Sequence, residues 1–146
     1  LIEGAERLEF LQHVLTSNVA GLELNKAQYC IIPDEDGSAI DDAYLYRFEE
    51  DKLLLVVNAA NTDKDKAHLN GIIKNYNCTM TDISREWAAI AVQGPRSKEL
   101  LMQLSSGEAI TEPMKNALNT LQLEGHTVKA AKTGYTGGPL VDEIYR

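Results

Sequence analysis

Two adjacent acids, Asp41 and Asp42, stand just before an aromatic run of Tyr44, Tyr46 and Phe48, with Arg47 among them. Residues two apart on an extended chain point to the same side, so Asp42, Tyr44, Tyr46 and Phe48 would share one face. A carboxylate set among rings is partly shielded from water. Its proton affinity rises, and it can accept a hydrogen bond from an amine that the rings hold. The plain alternative is that the two acids only finish the turn after Gly37. A second candidate is the polar stretch Asn58 to Asp65, NAANTDKD. Asn61 or Thr62 suits a helix cap, and Asp63 and Asp65 suit the positive end of its dipole. Asn58 precedes the cap at the end of an apolar strand pattern, where its amide can donate and accept toward a ligand. The third is Gly134-Tyr135-Thr136-Gly137-Gly138-Pro139. Its glycines allow close backbone approach, and Tyr135 can stack on a flat ring. An ordinary glycine turn is the alternative there.

The elements that must position these groups follow from hydrophobic spacing. Ala5 to Leu15 reads as an amphipathic helix, with Leu8, Leu11, Val14 and Leu15 on one face. Ala27 to Ile32 reads as a strand, closed by the turn Pro33-Asp34-Glu35-Asp36-Gly37. Ala43 to Phe48 is the next strand. Lys52 to Asn58 is a third and is expected to be fully buried, completing a β-meander. A helix after Asn61 or Thr62 presents Leu69, Ile72, Ile73 and Tyr76 on one face. Short strands at Cys78 to Ile83 and Trp87 to Gln93 follow, the latter read as packing. Gly94-Pro95 starts a helix that buries Leu100, Leu101 and Leu104. Glu108 to Leu118 is weakly patterned. Leu121 to Leu123 and Thr127 to Thr133 form a hairpin across Glu124-Gly125, and Glu143 to Tyr145 starts a last strand.

From Lys52 to Thr133 the order is strand, helix, strand, strand, helix, strand, the split βαββαβ order of ferredoxin-like units. The expected class is therefore α+β, mainly antiparallel sheets with packed helices. The expected division is a helix plus meander over residues 1–51 and the βαββαβ region over 52–146.

Composition bounds the function. Among 146 residues, 44% are hydrophobic and 25% charged, close to the globular average. A formal charge of -8 argues against a general nucleic-acid or anionic-membrane binder. No apolar run reaches the roughly 18 residues of a membrane span. His13, His68 and His126 are isolated from one another, so no metal is expected. Cys30 and Cys78 suit buried reduced thiols of a cytosol-like compartment. The chain opens on Leu1 and ends at Arg146 inside a strand pattern, so a piece of a longer chain is expected.

Taken in order, FLQHVLTSNV from Phe10, AQYCI from Ala27, DDAYLYR from Asp41, LLVVNAANTDKD from Leu54, AAIAVQGPRSKELL from Ala88 and KTGYTG from Lys132 form a pattern. It resembles the aminomethyltransferase of the glycine cleavage system, the T-protein family. The resemblance covers almost the whole chain and implies the folate-binding T-protein fold. It also implies transfer of a methylene carbon from the aminomethyl-lipoyl arm of the partner H-protein to tetrahydrofolate, with release of ammonia. The implied setting is the cytoplasm, or the mitochondrial matrix in a eukaryote. The piece alone is expected to be inactive. Related resemblances are the folate-binding domains of dimethylglycine and sarcosine-type demethylating oxidoreductases, and non-catalytic folate-binding relatives.

By position, the resemblance implies that Asp42 is the catalytic acid facing N10 of the folate. It implies that Tyr29, Tyr46, Asn58 and Tyr135 line the folate site, and that Glu143 accepts from the pterin. The family commonly reads G-Y-T-G-E-D-G-F-E where this chain has GYTGGPLVDE, one residue longer, so Asp142 is the alternative acceptor. Lys132 stands where the family usually has arginine.

Overall fold

The computed structural model describes residues 1–105 and 116–133, together with the backbone of 141–145. The chain forms two compact units, Leu1–Asp82 and Ile83–Arg146.

The first unit opens with a short strand β1 (Ile2–Gly4) and helix α1 (Arg7–Val14). Strands β2 (Lys26–Pro33), β3 (Ala39–Arg47) and β4 (Lys52–Val57) follow, then helix α2 (Thr62–Ile73) and strand β5 (Cys78–Met80). These strands form one antiparallel sheet in the order β2-β3-β4-β1-β5. The β2–β3 turn closes with the Asp34 amide donating to the Ser38 carbonyl at 2.7 Å, and Gly37 takes φ +84° there. The sheet has a core face. Cys30, Ile32, Ala43, Leu45 and Leu53 pack with Phe10, Leu11 and Val14 of α1 and Leu69 of α2. Burying a large aliphatic side chain contributes about 1.5–3 kcal/mol, so this face anchors the strands that carry the acids.

Strand β1 has only three residues, too few to show a two-residue period, and nothing in the sequence pattern points to it. It nevertheless sits inside the sheet, between β4 and β5. Gly4 makes that possible. Its φ is +122°, and a Cβ there would lie 2.7 Å from Cys78 Cα and 2.8 Å from the Asn77 carbonyl oxygen.

The second unit contains strand β6 (Ala88–Val92), helix α3 (Ser97–Leu104), and strands β7 (Leu118–Leu123), β8 (His126–Ala131) and β9 (Val141–Tyr145). Its antiparallel sheet has the order β6-β9-β8-β7. The expected hairpin across Glu124-Gly125 is present, both residues taking positive φ, as a two-residue turn matched to strand twist requires. Leu101, Leu123 and Val128 form this unit's core.

The α+β class with antiparallel sheets stands. Among the described residues the strand–helix–strand–strand–helix–strand order is present from Lys52 to Leu123, but β4 and β5 lie in one sheet and β6 and β7 in the other, so the expected ferredoxin-like unit, which needs its four strands in one sheet, is corrected. The boundary expected between residues 51 and 52 falls inside the first compact unit, where β4 pairs with β3 from Tyr46 to Ala43.

Three packing expectations are corrected. Strand β4 is buried at Leu53 and Leu54 but only half-buried from Leu55 to Val57, where it runs out toward the exposed Asn58. Strand β6, the edge strand of its sheet, is exposed from Ala88 to Ala91, on both faces. Leu100 is exposed, because the buried stripe of α3 runs through Ser97, Leu101 and Leu104, and Leu100 lies about 100° around the helix from Leu101. Among the described residues, no helix is long and apolar enough to cross a membrane.

Candidate functional site

Strand β3 begins at Ala39, four residues earlier than its apolar pattern, so Asp41 and Asp42 lie within the strand. The reading in which they merely finish a turn is thereby corrected. Their neighbours in the pairing register explain where each points. Tyr29 of β2 lies opposite Tyr44 of β3, on the face away from the core. The Tyr29 hydroxyl donates to Asp42 Oδ2 at 3.0 Å. The rings of Tyr29 and Tyr44 meet edge to face at 5.6 Å, Tyr44 and Tyr46 lie 5.8 Å apart, and Tyr46 stacks on Phe48 at 5.9 Å. A continuous aromatic strip therefore runs away from Asp42.

Asn58 completes the acid's surroundings. The pairing of β4 with β3 runs from Leu54 opposite Tyr46 to Val57 opposite Ala43, and its continuation sets Asn58 across from Asp42. Asn58 Nδ2 donates to Asp42 Oδ1 at 2.7 Å and to Asp41 Oδ1 at 3.0 Å, with a longer contact of 3.3 Å to the Asp42 carbonyl. An amide has two N–H donors, so the two carboxylates use both. Asp42 thus receives one donor on each oxygen, from a phenol and from an amide. Hydrogen bonds to an ionised acceptor are the stronger kind.

The other face of β3 carries Asp41. It pairs opposite Ile32, whose side chain is fully buried, and looks toward the helices of the core. There it meets Asp65 of α2, which is 0% exposed. Asp41 Oδ2 and both Asp65 oxygens are buried, and none of them receives a hydrogen bond from a donor group. Burial, and then the neighbouring Asp41, push the Asp65 carboxyl up to about 6. Burial pushes Asp41 the same way, but hydrogen bonds from the Asn58 side chain, the Asp42 backbone, Asn61 and Asp65 outweigh it and hold Asp41 below the usual carboxylate range.

The start of α2 is built to permit this. Asn61 occupies the N-cap position yet makes no capping bond. The Thr62 hydroxyl turns back to the carbonyls of Asn58 and Ala59 at 3.3 and 3.2 Å. Lys64 Nζ donates to the Ile40 carbonyl at 2.7 Å, tying the helix to β3.

Of the residues singled out from the sequence, Asp42, Tyr29 and Asn58 are in direct hydrogen-bonded contact. Tyr46 belongs to the same face and joins them through Tyr44, but it is buried and does not reach the acid. Tyr135 and the loop Gly134 to Pro139 lie outside the described residues, as does most of the weakly patterned stretch from Glu108. The backbone of Glu143 lies in β9 opposite Ile90 and Ala130, and that of Asp142 opposite Ala91 and Ala131. Their side chains are outside the described residues.

The contribution of Asp65 was not anticipated; it was assigned only to the helix dipole. A signal was present, because position 65 lies four residues before Leu69 and shares the face of Leu69, Ile72, Ile73 and Tyr76. An acid on the apolar stripe of a helix is out of place unless it has a partner.

An ionised Asp42 keeps a free lone pair on each oxygen, so it can accept further hydrogen bonds from an N–H of a bound amine. Tyr29 is 48% exposed and offers ring surface beside it. Among the described residues, no group of three His, Cys, Asp or Glu is placed to hold a metal ion. The site offers a carboxylate, a phenol, an amide and aromatic surface. These are the means to bind and orient a flat, nitrogen-bearing ligand.

Comparison with known proteins gives a consistent picture. A scan of protein-family models matches residues 1–144 to the GCVT N-terminal domain. A curated aminomethyltransferase of Thermus thermophilus is 39% identical over 137 residues, covering 94% of this chain and 39% of the relative. That of Deinococcus deserti is 42% identical over 136 residues, covering 93% of this chain and 38% of the relative. Among solved structures, the glycine cleavage system aminomethyltransferase T of Bartonella henselae superposes with a TM-score of 0.80 at 24% identity, over 99% of this chain and 38% of that one. That last likeness is one of fold. The chain spans less than two-fifths of the length of these relatives.

Proposed function

The chain belongs to the GCVT N-terminal domain family, and on that premise we propose that it forms one wall of an aminomethyltransferase site acting in glycine cleavage. In this reading the methylene carbon arrives as an aminomethyl group on the lipoyl arm of H-protein and passes to tetrahydrofolate, with loss of ammonia. The observation that carries the reading is the fixed Asp42 carboxylate, held by Tyr29 and Asn58 at the head of an aromatic strip.

The donor set suits the folate. A reduced pterin with its aminobenzoate offers flat rings and N–H donors, and the wall offers ring surface with a carboxylate acceptor. Asp42 receives a hydrogen bond from the N10 region and stabilises the positive charge that develops on nitrogen as ammonia departs. Holding the folate nitrogens against the reacting carbon supplies much of the rate by proximity. Tyr46 supports the ring surface from below, and Tyr135 and Glu143 belong to the pterin end. The setting is the cytoplasm, or the mitochondrial matrix in a eukaryote, with lipoylated H-protein and folate as partners.

The test is Asp42→Asn in the whole protein, assayed with lipoylated H-protein and tetrahydrofolate. The amide is isosteric but cannot carry the negative charge. Transfer should fall at least tenfold, on the order of what one positioned acid contributes, while calorimetry shows folate binding largely kept. Turnover at the parent level would refute the assignment.

A further inference from the structure

We propose that Asp65 is a positioning residue: as a neutral acid it donates a hydrogen bond to Asp41 Oδ2, and through Asp41 and Asn58 it fixes the carboxylate of Asp42. The step beyond Asp41 rests on the reading of Asp42 given above; the proton shared by Asp41 and Asp65 does not.

The geometry requires a hydrogen that two carboxylates cannot supply. Asp65 is fully buried, and Asp41 Oδ2 and both Asp65 oxygens lack any donor group. A carboxylate only accepts, whereas a protonated carboxyl has one O–H to give. Leaving such oxygens buried and ionised side by side is costly, so below about pH 6 one proton between them is the stable state. Asp65 is the member that holds it. Asp41 already receives a donor from Asn58, which favours its charge, whereas Asp65 has no such donor and is fully buried.

Among the described residues, the groups bearing on this pair are few. Asp41 acts from β3 and Lys64 from the same helix. Lys64 is directed to the Ile40 carbonyl. The short turn Ala59–Asn61, packed against α2, has no ionisable side chain. Strand β5, also packed there, brings only the Cys78 thiol, which burial pushes upward and which therefore stays neutral.

A relay results. The Asp65 hydroxyl donates to Asp41, whose other oxygen takes one N–H of Asn58, which leaves the second N–H for Asp42 at 2.7 Å. When Asp65 loses its proton, Asp41 faces a second negative charge and loses the donor that fixes its Oδ2, so its orientation toward Asn58 is no longer set and Asp42 loses a fixed donor.

The experiment is a carbon-13 carboxyl titration of this chain labelled at aspartate, with nitrogen-15 detection of the Asn58 side-chain amide. Asp65 should titrate above the usual carboxylate range, near 6. The Asn58 amide should shift with the same midpoint. In Asp65→Asn, which keeps a donor of the same shape, the high titration disappears and the Asn58 amide no longer moves with pH near 6. An Asp65 that titrates near 4, an Asn58 amide that ignores the Asp65 midpoint, or a midpoint that drops on adding millimolar calcium would each overturn the proposal. In the whole protein, Asp65→Asn should keep kcat within about threefold of the parent at pH 5 but flatten the fall of the parent's profile between pH 5 and 7. Near pH 5, where Asp65 keeps its proton, Asp65→Leu, which has no donor, should lower kcat at least tenfold with folate affinity unchanged. An unaltered profile in Asp65→Asn would count against the relay. Parent-level turnover in Asp42→Asn, with the carboxyl titrations as expected, would overturn the folate reading and leave the shared proton standing.

Discussion

Replacing Asn58 with aspartate is the sharpest test of how the acids of β3 are held. The change is isosteric. It puts a carboxylate oxygen where Nδ2 now sits, 2.7 Å from Asp42 Oδ1 and 3.0 Å from Asp41 Oδ1. Two charge-assisted hydrogen bonds disappear, each contributing about 1.5–3 kcal/mol. Two like-charge contacts replace them. At about 3 Å each costs roughly 1.4 kcal/mol even in the dielectric of bulk water, the appropriate limit because Asn58 is exposed.

That penalty cannot grow without bound, because the folded chain can bind a proton instead. A protonated carboxyl restores a donor between the acids and cancels one charge. The cost of keeping an ordinary carboxyl protonated, at about 1.4 kcal/mol per pH unit above a value near 3.9, caps the loss at about 4 kcal/mol near pH 7 and about 1.5 kcal/mol near pH 5. The folded variant then holds a proton that the unfolded chain has released, so its stability relative to the parent falls as pH rises from about 4. Urea unfolding of parent and variant, followed by circular dichroism at both pH values, measures the difference. Asn58→Leu is the control. It removes the donors without adding charge, so its cost should change little over that range. An Asn58→Asp penalty equal at pH 5 and pH 7 would refute the placement of Asn58 between the two acids.

Two further outcomes follow from the packing. Gly4→Ala should lower stability by at least about 2 kcal/mol in urea denaturation, since alanine at φ +122° is strained and its methyl meets the backbone at Asn77 and Cys78; a neutral result would contradict the close approach of β1 to β5. Burial pushes the Cys30 thiol up to about 12, and its Sγ donates to the Ala43 carbonyl at 3.3 Å, so iodoacetamide near pH 8 should label Cys78 before Cys30, as read by peptide mass.

The readable parts of the sequence were those with a period or a turn signal. The helix faces at Leu11 and Val14 and at Leu69 and Ile72 show a period near 3.6, and they lie where that spacing placed them. Pro33 to Gly37 and Glu124-Gly125 carry turn chemistry, and they are turns. Asp42 and Asn58 were each legible as candidates, and Tyr29 only as part of a pattern shared with a family; that the three meet was legible only through that pattern, because it depends on the register of three strands, and a register cannot be read from any one of them. The division of strands between two sheets was not legible either. Segment order says which elements exist, but β1, three residues from the far end of the unit, inserts between β4 and β5 and decides the sheet. Asp65 was misread because its local environment, the first turn of a helix, explains an acid well enough to stop the search.

The pair Asp41-Asp42 shows why adjacency matters more here than charge. Neighbouring residues on a strand point to opposite faces, so the two acids, although consecutive, face different surroundings. Asp42 looks onto the tyrosines, where a charge can be solvated and reached. Asp41 looks toward the core, where a charge is tolerated only with donors. Among the described residues, Asn58 is the one side chain that hydrogen-bonds both, because β4 ends where the register brings the residue after it level with them. A single acid at this point would be either accessible and loosely held or buried and fixed. Two in succession, joined by one amide, let the rigid face of the sheet set the orientation of the accessible one. The net charge of -8 is therefore a poor guide to this site. Which acid is ionised, and which way it points, follows from the donors that each face of β3 supplies.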